Sequence, residues 1–184
     1  MGMDLIQYST ILTLGVFALV LLVVIISLCY FLVPTIKVQL LKIDYFSYIK
    51  VIGLIAIAAT LSTLAYQFYY ETPVCELCWW QRIFMYPIDI VALVSLLFLI
   101  RGNHIVIGAL ASIGAAFAGY HYYYHFQIFV LGKTLSLPCS GYGLLPACTS
   151  SPIVIFGFVT IPLMGLLTFL GIVVLTLFAH RVQK

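Results

Sequence analysis

The chain has 184 residues, of which 65% are hydrophobic and only 7% are charged. Soluble globular domains carry roughly 25% charged residues, so the composition excludes a water-soluble globular protein and indicates that lipid surrounds most of the chain. The formal net charge is +3 and the basic residues are scattered, which excludes nucleic acid as a partner. The lipid bilayer is therefore the first partner that the sequence predicts.

Five hydrophobic segments follow one another, each long enough for a bilayer-spanning helix, which needs about 20 apolar residues. In chain order they cover residues 9–33, 51–69, 79–100, 105–129 and 153–179. The first stops before Pro34, and the stretch that follows alternates apolar side chains with lysines, which favours a position along the membrane surface. The sequence therefore predicts an all-α integral membrane protein with five spans.

The basic residues predict how these segments are oriented, because lysine and arginine concentrate in cytoplasmic loops. Six of the eight fall on one side of an alternating five-span chain: Lys37, Lys42, Lys50, Arg101, Arg181 and Lys184. The other side holds Arg82 and Lys133. We therefore expect a multi-pass protein of the inner (cytoplasmic) cell membrane, with its amino terminus outside and its carboxyl terminus in the cytoplasm.

This topology places four of the five cysteines on the outer face. Cys75 and Cys78 precede the third segment, and Cys139 and Cys148 lie in the loop that precedes the fifth. Disulfides form and persist on that oxidising side, and an even count is consistent with two pairs. Cys29 lies within the first segment and is interpreted as a small apolar packing residue.

Cys75 and Cys78 form a Cys-x-x-Cys pair at the predicted start of the third helix. The free backbone N–H groups and the positive dipole end of a helix start favour a thiolate. Arg82 lies one turn beyond Cys78 on the same helix face, so its cation can approach the sulfur or a bound ligand. An ionisable group at membrane depth indicates a functional site, although an arginine beside the interfacial Trp79 and Trp80 can also extend to lipid headgroups.

The second pair, Cys139 and Cys148, lies in a loop rich in glycine, serine and proline. As a structural staple, so short a ring would stabilise the fold by less than roughly 3 kcal/mol. An exposed disulfide in such a loop can instead exchange with an incoming thiol, and both interpretations stay open at this point.

Two metal chemistries fit the cysteines poorly. A zinc site favours two to four residues between paired ligands, and the second pair is separated by eight. Covalent haem attachment needs histidine after the second cysteine of the motif, where this chain has Trp79. No metal is predicted.

The run CELCWWQRIFMYP, from Cys75 to Pro87, resembles the signature of the DsbB family. These are membrane thiol:quinone oxidoreductases that reoxidise DsbA-like thioredoxin-fold proteins, and the run is most similar to the BdbC-like branch from Gram-positive bacteria. The tripeptide Pro138-Cys139-Ser140 and the run FGFVTIP at 156–162 support the resemblance, which covers roughly residues 49–177.

This resemblance implies a four-helix bundle with both cysteine pairs on the extracytoplasmic face and a membrane quinone, ubiquinone or menaquinone, beside the first pair. Cys139 would form a mixed disulfide with the DsbA-like partner, and Cys148 would be the resolving half of that outer pair. Electrons would then pass to Cys75 and Cys78, with Cys78 nearest the quinone. Arg82 would polarise the quinone carbonyl. The implied function is a thiol:quinone oxidoreductase that supports disulfide bond formation.

The chain departs from the family pattern at its amino-terminal end. The first helix is additional to the four-helix core, which divides the chain into an extra transmembrane helix at 1–34, a cytoplasmic interfacial linker at 35–50 and a DsbB-like bundle at 51–184. The purpose of the additional helix is open: packing against lipid, dimerisation or partner docking.

A second departure concerns histidines at the outer end of the fourth helix. The family often has a histidine and a glutamine four residues apart there. In this chain the run YHYYYHFQ at 120–127 places His121 at the aligned histidine and His125 where the glutamine is expected. We expect one of the two to line the quinone pocket, with ordinary interfacial histidines as the alternative.

Two other functions compete with this interpretation. A vitamin K epoxide reductase-like quinone reductase is also a small helical bundle with two cysteine pairs, but that family places its Cys-x-x-Cys late in the chain. A non-enzymatic membrane scaffold with structural disulfides belongs to a different class. Thiol trapping distinguishes an enzyme from a scaffold, since an enzyme forms a mixed disulfide with its partner and a scaffold does not.

Overall fold

The computed structural model describes residues 4–133 and 153–183, and these are mainly helical. The six α-helices are α1 (Leu5–Leu32), α2 (Pro34–Leu41), α3 (Tyr45–Phe68), α4 (Glu76–Leu97), α5 (His104–His125) and α6 (Ile161–Gln183). In this described part, every α-helix except α2 is long and apolar enough to cross a membrane, which gives five spans. The chain is therefore an all-α, multi-pass membrane protein, as predicted.

Helices α3 to α6 pack against one another as a four-helix bundle. Their shared core is apolar, and each helix contributes a side chain that is fully buried: Ile52 on α3, Ile88 on α4, Ile107 on α5 and Ile172 on α6. The four-helix core inferred from the sequence is present.

Close approach of α5 and α6 depends on small residues along one face of α5. Ala111, Ala115 and Ala118 are buried there, and Gly114 lies between them. A Cβ atom at Gly114 would overlap the ring of Phe169, which is 1% exposed. Small side chains let helices approach closely in membranes, so this face forms the recess that receives Phe169.

The connection between α1 and α3 is short and mostly helical. Pro34 begins α2, a position where proline has no helical hydrogen bond to lose. Helix α3 begins at Tyr45, before the apolar segment at 51–69, because Asp44 caps it by accepting a hydrogen bond from the Phe46 N–H at 3.0 Å. The three-part division of the chain stays a prediction.

The predicted fifth segment was wrong at its start. Residues 154–160 form an antiparallel hairpin in which β1 (Val154–Ile155) pairs with β2 (Val159–Thr160). All four strand residues have β-branched side chains, which favour strands. Phe156 and Gly157 form the turn between the strands, with φ of +52° and +79°. Hydropathy does not distinguish such a hairpin from a helix. Pro162 therefore lies in the first turn of α6, where proline is tolerated. In the middle of the helix it would bend the helix.

Helix α1 packs on the outside of the bundle, against α6 and the hairpin. Its Leu12 and Val16 contact the small cluster built around Val159 and Met164. Most of its other apolar side chains are exposed, such as Leu21 at 61%, and these face lipid in a spanning helix.

Candidate active site

Cys75 and Cys78 lie at the first turn of α4, as the sequence predicted. Cys75 is the residue that precedes the helix, in an extended conformation, and Cys78 belongs to its first turn. Their Sγ atoms are 2.9 Å apart, and a disulfide bond would bring them to about 2.05 Å. Only a small movement is therefore needed for the two sulfurs to form a disulfide bond when an acceptor removes two electrons from the pair.

The imidazole of His121 lies directly behind Cys75. Its Nε2 is 3.8 Å from the Cys75 Sγ, and its ring is 1% exposed. Cys75 precedes the spanning part of α4, and its pKa is lowered to about 4 by the hydrogen bond with the Cys78 thiol first and then by His121. Cys75 is therefore the thiolate of the reduced pair at neutral pH.

Gln81 fixes how the His121 ring carries its proton. The Gln81 amide Nε2 lies 3.0 Å from the Nδ1 of His121. An amide nitrogen can only donate, so Nδ1 accepts and a neutral ring keeps its hydrogen on Nε2, which points at the Cys75 sulfur. Gln81 was missed by the sequence analysis, although it lies within the quoted run beside Arg82.

Arg82 is buried in the protein, at 6% exposure. Its Nη1 donates to the side-chain carbonyl of Gln67, and its Nη2 donates to the Thr63 carbonyl oxygen at 2.9 Å. Its guanidinium carbon lies 5.4 Å from the Trp79 ring centre. The alternative in which Arg82 extends to the headgroups is therefore wrong, because neutral groups of α3 hold it inside.

In the part of the chain that the structure describes, no carboxylate balances the charge of Arg82. Across residues 4–133 and 153–183, the ion pair within 4.0 Å joins Arg101 to Asp44. A buried cation without an anionic partner is costly and favours an electron-rich ligand beside it. Gln67 was also missed, because it comes from a different helix and the sequence gives no spacing that joins it to Arg82.

Cys78 and Arg82 line the same cavity, which has a volume of about 100 Å³. The rest of its wall is mainly apolar and includes Ala59, Val74, Met85, Ile161, Pro162 and Phe169. The cavity thus brings one sulfur of the pair and a cation to a hydrophobic space between α3, α4 and α6. His121 and His125 are not part of this wall; their rings pack edge to face, with centres 4.6 Å apart.

The donor set also raises the question of a metal. One ligand atom each from Cys75, Cys78 and His121 lies within 4.8 Å of the others. Two thiolates on a tetrahedral zinc ion, with bonds of about 2.3 Å, lie roughly 3.7 Å apart. The sulfurs are closer than that, so this geometry favours a redox pair over zinc.

The second pair cannot be placed in the same way. Cys139 and Cys148 lie outside the described residues. Cys29 is half-buried in α1.

Comparisons with a family model and with individual proteins both find disulfide formation proteins. The family model described as disulfide bond formation protein DsbB matches residues 47–179. The SPbeta prophage-derived disulfide bond formation protein B of Bacillus subtilis (strain 168) is 32% identical over 124 residues, covering 67% of this chain and 78% of that protein. The probable disulfide formation protein C 1 of Bacillus anthracis is 38% identical over 121 residues, covering 63% and 79%. No solved structure matches the chain significantly.

Proposed function

Because residues 47–179 match its model, the chain belongs to the DsbB family of disulfide bond formation proteins, and we propose that it passes electrons from an extracytoplasmic dithiol protein to a membrane quinone. Disulfide bond formation is the function that its family and relatives share. The observation that carries the quinone part is that Cys78 and Arg82 line one apolar cavity among the spanning helices.

The protein partner enters through the outer cysteine pair. A thiolate of a DsbA-like thioredoxin-fold protein attacks Cys139 of the Cys139–Cys148 disulfide, and Cys148 leaves as a thiolate. The partner's second thiol then attacks the mixed disulfide, which releases the partner oxidised and leaves Cys139 and Cys148 reduced. These two thiols reduce the disulfide between Cys75 and Cys78 by the same exchange.

The inner pair hands the electrons on. A bound quinone supplies a two-electron, two-proton acceptor that ends the relay. Cys78 is the sulfur that faces the cavity. As the Cys75 thiolate bonds to the Cys78 sulfur, the S–H bond of Cys78 would break, and its proton and the two electrons of the pair would pass to the acceptor. Arg82 holds a positive charge beside the cavity in a water-excluded site, where such a charge is most effective at stabilising negative charge on a carbonyl oxygen.

The membrane face follows from this relay. We propose that both cysteine pairs lie on the extracytoplasmic face of the cytoplasmic membrane, where the partner folds, with the amino terminus outside. The acceptor is ubiquinone or menaquinone, since both have the carbonyl oxygens that Arg82 would bind. His121 acts through Cys75, and His125 supports the His121 ring.

A Cys78→Ser variant tests this function. The purified protein is assayed with a reduced DsbA-like protein and a quinone, following quinone absorbance. We expect the variant to fold, because serine is close in size, and to lose quinone reduction by more than about a hundredfold, because no thiol remains to face the cavity. Cys29→Ser is the matched control and should retain activity. Normal turnover by Cys78→Ser would refute the assignment.

A further inference from the structure

Asp89 carries a carboxyl group in the middle of the spanning helix α4, and the proposed relay gives it no role. Thr60 of α3 donates a hydrogen bond to its Oδ2 at 2.7 Å. Its Oδ1 is buried and makes no hydrogen bond within residues 4–133 and 153–183. An ionisable side chain at membrane depth is costly and indicates a functional role. The bond to Thr60 is the contact through which Asp89 can act.

The Thr60–Asp89 bond lies in the same helix interface as the contacts that hold Arg82. Arg82 donates to the Gln67 side chain and to the Thr63 carbonyl oxygen. Residues 60, 63 and 67 are three and four apart, so they share one face of α3. Residues 82 and 89 are seven apart and share one face of α4. The two sets of polar contacts therefore follow one seam, about 10 Å apart along the helix axis.

The two sets of contacts are also joined through one turn of α3. The Thr63 hydroxyl donates to the Thr60 carbonyl oxygen at 2.8 Å, and the Thr63 carbonyl oxygen accepts the bond from Arg82. The turn that receives Arg82 therefore begins at the residue that is bonded to Asp89. A rotation of α3 about its axis would break the bond to Asp89 and would move both acceptors of Arg82.

Apolar side chains do little to fix how α3 is rotated against α4. Lipid is as apolar as a leucine side chain, so helices associate in a membrane through close packing and polar contacts. Gly53 and Ala92 provide close packing, since a Cβ atom at Gly53 would lie 3.4 Å from the Ala92 Cβ. Along both helices, the Thr60–Asp89 bond lies between this close approach and Arg82. It is therefore placed to set the rotation of α3 at the site.

We propose that Asp89 is a positioning residue for Arg82. By accepting the hydrogen bond from Thr60, Asp89 sets the rotation of α3 against α4. At that rotation, the oxygens of Thr63 and Gln67 hold the guanidinium beside the cavity. Asp89 does not line that cavity, so its effect on the acceptor passes through Arg82. This inference rests on the proposed function, in which Arg82 serves the acceptor.

Substitutions at either end of the bond test this role. Asp89→Leu removes the acceptor, and Thr60→Val removes the donor while keeping the shape of the side chain. Stopped-flow assays with menaquinone-4 and a reduced DsbA-like protein follow the two half-reactions separately. Each variant should slow quinone reduction by about tenfold, because a displaced stabilising group loses much of its effect. Thiol exchange with the partner should be unchanged.

Three control variants keep the bond or lie away from it. Asp89→Asn retains an acceptor oxygen and Thr60→Ser retains the hydroxyl, so both should reduce quinone at the wild-type rate. Ser95→Ala removes a buried hydroxyl from the same helix at its contact with Asn103. That position is about 20 Å along the helix from Arg82, and the variant should also reduce quinone at the wild-type rate.

A double-mutant cycle shows whether Asp89 acts through Arg82. In the Arg82→Gln protein, Asp89→Leu should cause no further loss of quinone reduction, because the cation that Asp89 positions is already gone. A role confined to the stability of the fold would instead lower the rate by the same factor in both backgrounds.

Disulfide cross-linking measures the rotation of α3 independently of activity. In a variant whose native cysteines are serine, Gly53→Cys and Ala92→Cys place two thiols across the interface, close to the Cβ spacing of about 3.5–4.5 Å that a disulfide needs. Copper phenanthroline should oxidise this pair, and protection from maleimide labelling follows the reaction. Asp89→Leu should slow the oxidation several-fold, and Asp89→Asn should not.

Four results would overturn the inference. If neither Asp89→Leu nor Thr60→Val changes quinone reduction or cross-linking, Asp89 does not position α3, while the proposed function stands. If the loss in Asp89→Leu multiplies with that in Arg82→Gln, Asp89 serves the fold alone. If Asp89→Asn loses as much activity as Asp89→Leu, the bond to Thr60 is not the cause. If the wild type reduces no quinone, the proposed function fails and this inference fails with it.

Discussion

At the scale of single residues, the pKa of Cys75 is lowered first by its hydrogen bond with the Cys78 thiol and then by His121. His121 of α5 faces the Cys75 sulfur, and Gln81 of α4 accounts for the hydrogen that His121 directs at it. Because the pKa of Cys75 is lowered to about 4, its sulfur is a thiolate above that pH and becomes protonated below it. The closing step of the relay therefore has its nucleophile ready throughout the neutral range.

A His121→Ala variant should raise the pKa of Cys75 part of the way from about 4 to the ordinary 9.0, because the contribution of His121 is lost while the larger one from Cys78 remains. Ultraviolet absorbance of the thiolate in the reduced protein measures the titration. The turnover rate should fall by about tenfold or more at pH 6 and by less at pH 9, where a thiol with a raised pKa still ionises.

The matched control for that variant is His180→Ala, at the opposite end of the bundle, where His180 contacts His104 at 3.1 Å. It should leave both the titration and the pH profile unchanged. A His121→Ala protein whose Cys75 thiol titrates at the same pH as in the wild type would contradict the role given to His121.

Arg82 permits a second prediction at this scale. Arg82→Gln removes the positive charge beside the cavity, and loss of one such stabilising group costs about 10² to 10³ in kcat. We expect a fall of about a hundredfold in quinone reduction, with thiol exchange between the partner and the outer cysteine pair retained. Stopped-flow measurement of each half-reaction separates the two.

Arg101→Gln is the control for Arg82→Gln, because Arg101 is exposed and pairs with Asp44 at 3.9 Å. It should have no measurable effect, as is usual for a surface ion pair. If Arg82→Gln slows both half-reactions equally, the guanidinium serves the fold and not the acceptor.

The sequence made some of this site predictable and left out the rest for a physical reason. Cys75, Cys78 and Arg82 share one helix start, so the helical repeat alone places them together. Gln67 and Thr63 hold Arg82 from α3, and that contact depends on how two helices rotate against each other. A hydropathy pattern contains no information on that rotation.

At the scale of helices, the packing of α5 against α6 is the tightest fit near the site. Gly114→Ala would drive a methyl group into the ring of Phe169, which also lines the cavity at Cys78. Overpacking a filled core costs about 1–3 kcal/mol. We expect a lower melting temperature in detergent, by roughly 2–4 °C for each kcal/mol in a chain of this length.

Gly171→Ala on the facing helix is the matched control, because a Cβ atom there has no neighbour within 4 Å. Alanine is a better helix former than glycine, so this variant should be as stable as the wild type or slightly more so. Equal loss of stability in both variants would mean that glycine at Gly114 is not required by the Phe169 contact.

The presence of each spanning helix was predictable from the length of its apolar segment. The residue at which the helix begins was not always predictable. Asp44 shows why α3 begins early, since a cap takes effect outside the apolar run. The hydropathy of the residues before α6 is compatible with a strand and with a helix. The turn at Phe156 and Gly157 favours the strands. Segment length and hydropathy therefore predict which segments span the membrane, whereas caps and turns determine where each helix begins and ends.

At the scale of the whole molecule, one orientation in the membrane makes the proposed relay possible. The inner cysteines must share a face with the partner protein, so the loop after α5 must be extracytoplasmic and the connection after α2 cytoplasmic. The distribution of lysine and arginine predicts the same arrangement. A single measurement of topology therefore tests the relay and the charge rule together.

Lys133 and Lys42 provide the two positions for that measurement, because both are exposed in the connections on opposite sides of the bundle. Lys133→Cys and Lys42→Cys are each introduced into a variant whose native cysteines are serine, and intact cells are treated with a membrane-impermeant maleimide. Cysteine at 133 should be labelled in intact cells, and cysteine at 42 only after the membrane is permeabilised. The reverse pattern would place Cys75 and Cys78 on the cytoplasmic side, where thiols are kept reduced. The proposed oxidation of an extracytoplasmic partner would then have to be abandoned.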